Sequence, residues 1–147
     1  MSLKEQLLED MKNAMKDKNV IRKNTVQIVR AGVLQVEKDN RITLDDDGIL
    51  DIISKEVKKR RDVFPDYEKS GRQDLIDDLK AEIDVLLQYL PQQLTEEELE
   101  VIVRQVVQET GASSVKDMGR IMQAVMPLVK GRTDGKMINL IVKKIIG

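Results

Sequence analysis

The chain has 147 residues, of which 35% are charged, 41% apolar and 2% aromatic, with a formal net charge of −1. It contains no cysteine and no histidine, which removes disulfide frameworks, the usual zinc ligands, Ser-His and Cys-His nucleophile pairs and imidazole acid-base chemistry. No stretch approaches the ~18 apolar residues needed to cross a bilayer, and Met1 to Asp17 alternates charged with apolar residues, unlike a signal peptide, so the expectation is a soluble, cytoplasmic protein with no membrane partner.

With one Phe, two Tyr and no Trp, the core must be aliphatic, and its positions follow helical spacing throughout. Ser2 is a cap for a first helix with Leu3, Leu7, Leu8, Met11, Ala14 and Met15 on one face. A second helix is predicted from about Val20 to Asp39, with a stripe of Ile21, Thr25, Ile28, Val29, Gly32 and Val36. Thr43, followed by Asp45, Asp46 and Asp47, opens a third, since a hydroxyl cap and first-turn acids complement the positive end of the helix dipole. Its inward residues are Ile49, Ile52, Ile53, Val57, Phe64 and Tyr67, while Lys58 to Arg61 read as a solvated face. Pro65 predicts a kink or a break, because proline removes a backbone donor and clashes with the preceding turn. Ser70-Gly71 punctuates the chain. A fourth helix, from about Arg72 to Leu90, repeats Leu75, Ile76, Leu79, Ile83, Leu86, Leu87 and Leu90 at intervals of three and four.

Pro91 to Leu94 reads as a linker. Thr95 with Glu98 three positions later has the capping-box pattern, opening a helix with Leu99, Ile102, Val103, Val106 and Val107 inward and Gly111 as its left-handed end. The next helix is predicted from Ser113 or Ser114, with a stripe of Val115, Met118, Met122, Val125 and Val129 and a bend or end at Pro127. Gly119 within it suggests a close neighbour, since glycine costs about 1 kcal/mol relative to alanine in a helix. The last helix follows the turn Lys130 to Lys136 and faces Ile138, Ile141, Val142, Ile145 and Ile146 to the core. The fold class is therefore all-α: an N-terminal four-helix domain over 1–92 and a small three-helix domain over 93–147.

Charge is segregated along this map. From Asp74 to Glu100 nine acids face one base, Lys80, a net charge of −8. From Gly111 onward seven cations (Lys116, Arg120, Lys130, Arg132, Lys136, Lys143 and Lys144) face two acids, Asp117 and Asp134, a net charge of +5. Such a segment invites a polyanion. The turn Lys130 to Lys136 adds Gly131 and Gly135, which let backbone amides approach a phosphate at the start of the last helix. The alternative is a solvated cationic face or one that pairs with the acidic helices.

The runs YLPQQLTEEEL and GASSVKDMGRIMQAVMPLVKGRTDGKMINLIV, with VKKRRD, SGRQDL and AEIDVL upstream, resemble the GatB/YqeY family. This family groups small stand-alone helical proteins with the tail domain of the GatB component of the glutamyl-tRNA and aspartyl-tRNA amidotransferases. The resemblance implies a tRNA-associated accessory role, with the seven tail cations as the nucleic-acid-binding set, centred on Lys130, Arg132 and Lys136. Its partners would be tRNA and an amidotransferase or aminoacyl-tRNA synthetase. The family label is carbon-nitrogen ligation with glutamine as amide donor, but the chain has no Walker-type glycine loop and Ser113-Ser114 reads as a cap, so no catalytic residue, metal or cofactor is expected. The alternative is a protein-protein interaction adaptor without RNA binding.

Overall fold

The computed structural model describes residues 1–147, which form seven α-helices and no strand. They are α1 (Leu3–Lys16), α2 (Val20–Asn40), α3 (Asp46–Ser70), α4 (Gln73–Leu87), α5 (Glu96–Thr110), α6 (Met118–Val129) and α7 (Gly135–Ile146), with one turn of 3-10 helix at Val115–Asp117. Contacts divide the chain into two compact units, Met1–Leu90 and Pro91–Gly147. No helix is long and apolar enough to cross a membrane.

In Met1–Leu90, side-chain oxygens define three helix starts: Ser2, Asn19 and Asp45 accept from the amides of Glu5, Arg22 and Gly48. The cap of α3 is thus Asp45 and not Thr43, because a carboxylate in extended backbone reaches the third amide of the helix. Leu7, Val26, Val29, Val33, Ile49, Ile53, Val57 and Leu86 form the core. The stripe of α2 is rotated from the predicted one. Val26 and Val33 are buried while Ile28 is 44% exposed, since α2 packs against α1, α3 and α4 together and its inward face is set by all three.

Pro65 does not break α3, which runs on to Ser70 and ends at Gly71 with φ +68°. The proline lies at an exposed position, so the carbonyl that loses its amide partner is on the side of the helix that water reaches, which reduces the cost of the missing bond. Arg60, expected on a solvated face, is buried. Its guanidinium bonds the Glu56 carboxylate at 2.7 Å on its own helix and Glu82 of α4 at 3.4 Å. A second buried polar group, Asp10, accepts from Tyr89 and Gln6 and pairs with Arg22 at 3.4 Å. Burial first, and then the hydrogen bond to Asp10, push the Tyr89 phenol far above its ordinary pKa.

In Pro91–Gly147, Thr95 and Glu98 close a complete capping box, and Gly111 ends α5 with φ +68°. Leu99, Val103, Val106, Ala112, Ile121, Val125, Val129, Ile138, Ile141 and Val142 make the core. Two predictions for α6 are corrected. Val115 is 55% exposed while Ile121, absent from the predicted stripe, is fully buried, because the chain makes a 3-10 turn over Val115–Asp117 and enters α6 only at Met118. Gly119 has no close neighbour, since a β-carbon there would meet nothing within 4 Å. Pro127 sits inside α6, which continues to Val129. Replacing Thr95 with alanine removes the acceptor for the Glu98 amide and is expected to lower the stability of this unit by about 1 kcal/mol, read as an earlier urea midpoint with unchanged slope.

Candidate nucleic-acid interface

The seven tail cations fall into two groups. Because α6 and α7 are joined by a short turn and pack on each other, they run in opposite directions. Lys130, Arg132 and Lys136 belong to the turn and the first residues of α7. Lys116 and Arg120 lie at the entry of α6, and Lys143 and Lys144 are in the last turn of α7. The entry of α6 and the end of α7 approach each other, since a β-carbon on Gly147 would lie 2.9 Å from the Val115 side chain. Lys136 and Lys144 are separated by about 12 Å along the helix axis, at 1.5 Å per residue.

Within the second group, two cations are engaged by carboxylates of the same unit. Arg120 pairs with Asp117 at 3.2 Å and Lys144 with Glu100 at 3.1 Å. Glu100 also accepts from Arg104 at 2.8 Å, and these bonds, Arg104 first and Lys144 second, hold its carboxyl below the ordinary range. The acid-rich start of α5 therefore tempers the charge at this end. Lys116 and Lys143 are exposed.

The first group is built on a fixed turn. Gly131 takes φ +76°, a conformation that a β-carbon disfavours, and Asp134 caps α7 by accepting the Met137 amide at 2.8 Å. The segment before α5 clasps the turn in three places. The Leu94 amide donates to the Arg132 carbonyl at 2.8 Å, the Gln93 side chain donates to the Gly131 carbonyl at 2.8 Å, and the Arg132 guanidinium donates to the Gln92 carbonyl at 3.0 Å. Arg132 is half-buried and spends one donor on this clasp; Lys130 and Lys136 lie at exposed positions on either side of it. Gln92, Gln93 and Leu94 carry no signal in the sequence that marks them for this role. Their partners lie about 40 residues away, and no local pattern encodes that pairing.

This arrangement can offer cations and a helix N-terminus to an anion, and it contains no nucleophile paired with a base. It belongs to a small all-helical protein. The chain belongs to the YqeY-like protein family, whose model matches residues 4–146. Among curated proteins it is similar to Altered inheritance of mitochondria protein 41, mitochondrial, of Pyrenophora tritici-repentis, with 27% identity over 146 residues, covering 96% of this chain and 79% of the relative. Proteins of the same name from Lachancea thermotolerans and Eremothecium gossypii are 31% and 33% identical over 96 and 85 residues. Those two alignments cover 65% and 57% of this chain but only 51% and 46% of the relatives, about half their length. The names of these relatives are mitochondrial, which overturns the cytoplasmic expectation. That expectation rested on the lack of cysteine and of a hydrophobic leader, and neither composition nor a missing apolar run distinguishes one reducing compartment from another.

Proposed function

We propose that Pro91–Gly147 is an RNA-binding domain, that Met1–Leu90 is a separate helical domain carrying it, and that the protein serves as a non-catalytic accessory in tRNA-dependent amidation or aminoacylation. The observation that carries this reading is the clasped turn. Lys130 and Lys136 flank a loop whose backbone is held by Gln92, Gln93 and Leu94, so its cations are presented without first ordering the chain. Preorganised charge beside a helix N-terminus suits phosphate oxygens, and Lys and Arg gain affinity for nucleic acid by releasing counterions. The set at the far end, Lys116, Arg120, Lys143 and Lys144, would add a second point of attachment about one helix length away.

The test is filter binding of total mitochondrial tRNA, chosen for the compartment that the relatives' names give, across a salt series. Lys130→Gln with Lys136→Gln is expected to reduce the slope of log affinity against log salt by about two, one for each phosphate that is no longer neutralised, with unchanged helicity. An unaltered slope would remove RNA from the reading.

A protein adaptor is the second reading, favoured by the engagement of Arg120 and Lys144 with carboxylates of the same unit. Val101 and Leu140 are 66% and 64% exposed, which suits a protein surface better than a phosphate backbone. In that case the slope would be near zero for the unmodified protein.

A further inference from the structure

The outer face of α2 has no use in the reading above and belongs to the other unit. Its inward residues, Thr25, Val26, Val29 and Val33, are buried. At 100° per residue the opposite face carries Val20, Gln27, Ala31 and Leu34, with Ile28 at its edge. Val20, Ile28 and Leu34 are 60%, 44% and 62% exposed. Surface leucines standing singly need no explanation, but three large aliphatic residues along one side of one helix form a stripe, and the stripe has a charge bias. From Val20 to Val36 the helix contains Arg22, Lys23 and Arg30 and no acid.

These cations differ in how they are occupied. Arg22 pairs with Asp10, and Lys4 of α1 pairs with Glu37, near the end of α2, at 2.6 Å. Arg30 has no carboxylate: its hydrogen bond goes to the thioether of Met11 at 3.4 Å, a weak acceptor for a guanidinium. This half-buried side chain lines a small cavity of about 60 Å³ with Lys4, Leu7, Val33 and Leu34. Leu7 and Val33 make its buried aliphatic wall, Arg30 supplies a cation without a counterion beside Lys4, which Glu37 already holds, and the exposed Leu34 forms its rim. Such a cavity has room for a carboxylate and a methylene or two.

We propose that this face of α2 docks an acidic amphipathic helix of a partner protein, with a glutamate or aspartate side chain entering the cavity to meet Arg30. Aliphatic side chains of the partner would cover Leu34, about one turn to one side of Arg30, and Val20, about 15 Å to the other. The charge bias selects an acidic partner: Arg22 and Lys4 are already neutralised by Asp10 and Glu37, but Lys23 and Arg30 hold no carboxylate, and these two cations repel a basic helix and attract an acidic one. The aliphatic stripe favours a peptide over a nucleic acid, which is held through phosphates and base edges. Val20 to Leu34 spans about 21 Å, enough for four turns of a helix lying alongside. A guanidinium with unused parallel donors gains most from a bidentate carboxylate.

The experiment uses the full chain and two labelled, end-capped synthetic peptides of about 18 residues, five turns of helix. Both carry leucines at alternating intervals of three and four, one with glutamate and the other with lysine at the remaining charged positions. In fluorescence anisotropy the glutamate peptide is expected to bind and the lysine peptide not. Arg30→Gln is expected to weaken binding about tenfold and Leu34→Ala to weaken it severalfold, both with unchanged circular dichroism, since Leu34 is exposed and Arg30 holds no ion pair. Lys130→Gln with Lys136→Gln should leave this binding unchanged, which separates it from the RNA reading. Equal binding of both peptides, no binding of the glutamate peptide, or affinity indifferent to Arg30→Gln would each overturn the proposal. So would competition in which tRNA or anionic phospholipid vesicles displace the peptide from α2, because the face would then belong to a nucleic acid or a membrane.

Discussion

Truncating Ile53 to alanine is expected to cost about 3 to 4 kcal/mol, in the upper part of the range for large-to-small changes in a core. Ile53 is fully buried in the first half of α3 and belongs to a cluster whose other members are Leu7, Val26, Val29, Val33, Ile49, Val57 and Leu86. Four of these are valines, stiff at χ1 and short, so the surroundings have little freedom to fill the space and most of the cavity should persist. Ile53→Val, which removes one methylene, should cost only about 1 kcal/mol. Both tyrosines of the chain, Tyr67 and Tyr89, lie within Met1–Leu90 and the chain has no tryptophan. Tyrosine fluorescence in urea therefore reports this unit, and the expected result is an earlier midpoint with an unchanged slope. A loss below about 1 kcal/mol for Ile53→Ala would mean that the aliphatic core repacks freely.

Replacing Arg60 separates the attraction of a buried ion pair from the cost of burying it. The side chain is 11% exposed, against 14% for Glu56 and 28% for Glu82, and its Nε is buried with no acceptor. Arg60→Ala leaves two partly buried carboxylates without their counterion and a gap between α3 and α4. The expected loss is about 3 kcal/mol, the lower end for breaking such a pair, because Glu82 keeps some water. Arg60→Met keeps most of the volume and removes the unsatisfied Nε. Paired with Glu56→Gln and Glu82→Gln it is expected to return the stability to within about 1 kcal/mol of the original, since a well-packed apolar substitute often matches a buried ion pair.

The acid limb of the stability curve gives a second readout. Burial, the largest single influence on Glu56, pushes its carboxyl up, but the hydrogen bonds and charges of Arg60 and Lys59 together outweigh it and hold the group below its ordinary value of 4.5. A folded-state pKa below the unfolded one stabilises the protein above the unfolded value, and the contribution disappears as pH falls through the lower, folded value. The original protein should therefore lose stability between about pH 4.5 and the folded-state pKa of Glu56, and the triple variant should be flatter over that interval. Parallel acid limbs would show that the pair contributes no pH-dependent stability.

How much of this is legible in the sequence differs between the fold and the site. The starts and stops of helices are local chemistry: Ser2, Thr95 with Glu98, Gly71 and Gly111 act on amides and carbonyls within a few residues, so these ends can be read from adjacent letters. The inward residues of α5 and α7 follow the apolar spacing for the same reason, since each is a short helix with one dominant apolar face. For α2 the spacing misleads, because a helix covered by three neighbours buries an arc wider than one stripe, and the choice between Ile28 and Val26 depends on where those neighbours lie. Arg60 misleads more strongly. A run of four basic residues reads as a solvated face, but packing against α4 buries Arg60, and Glu82, 22 positions further along, joins Glu56 in balancing its guanidinium.

The amino-acid order alone determined that this chain is helical, aliphatic in its core, devoid of imidazole and thiol chemistry, and strongly cationic toward its end, because propensity, capping and composition act over a few residues. Tertiary structure decided which cations share an end, which are already held by carboxylates, and that Gln92, Gln93 and Leu94 pin the turn between Lys130 and Lys136. It also decided that Arg30 lines a cavity without a counterion. These outcomes depend on side chains brought together from distant positions by burial of apolar surface, a force without direction or sequence range, and no pattern of neighbouring residues records where it will place a charge.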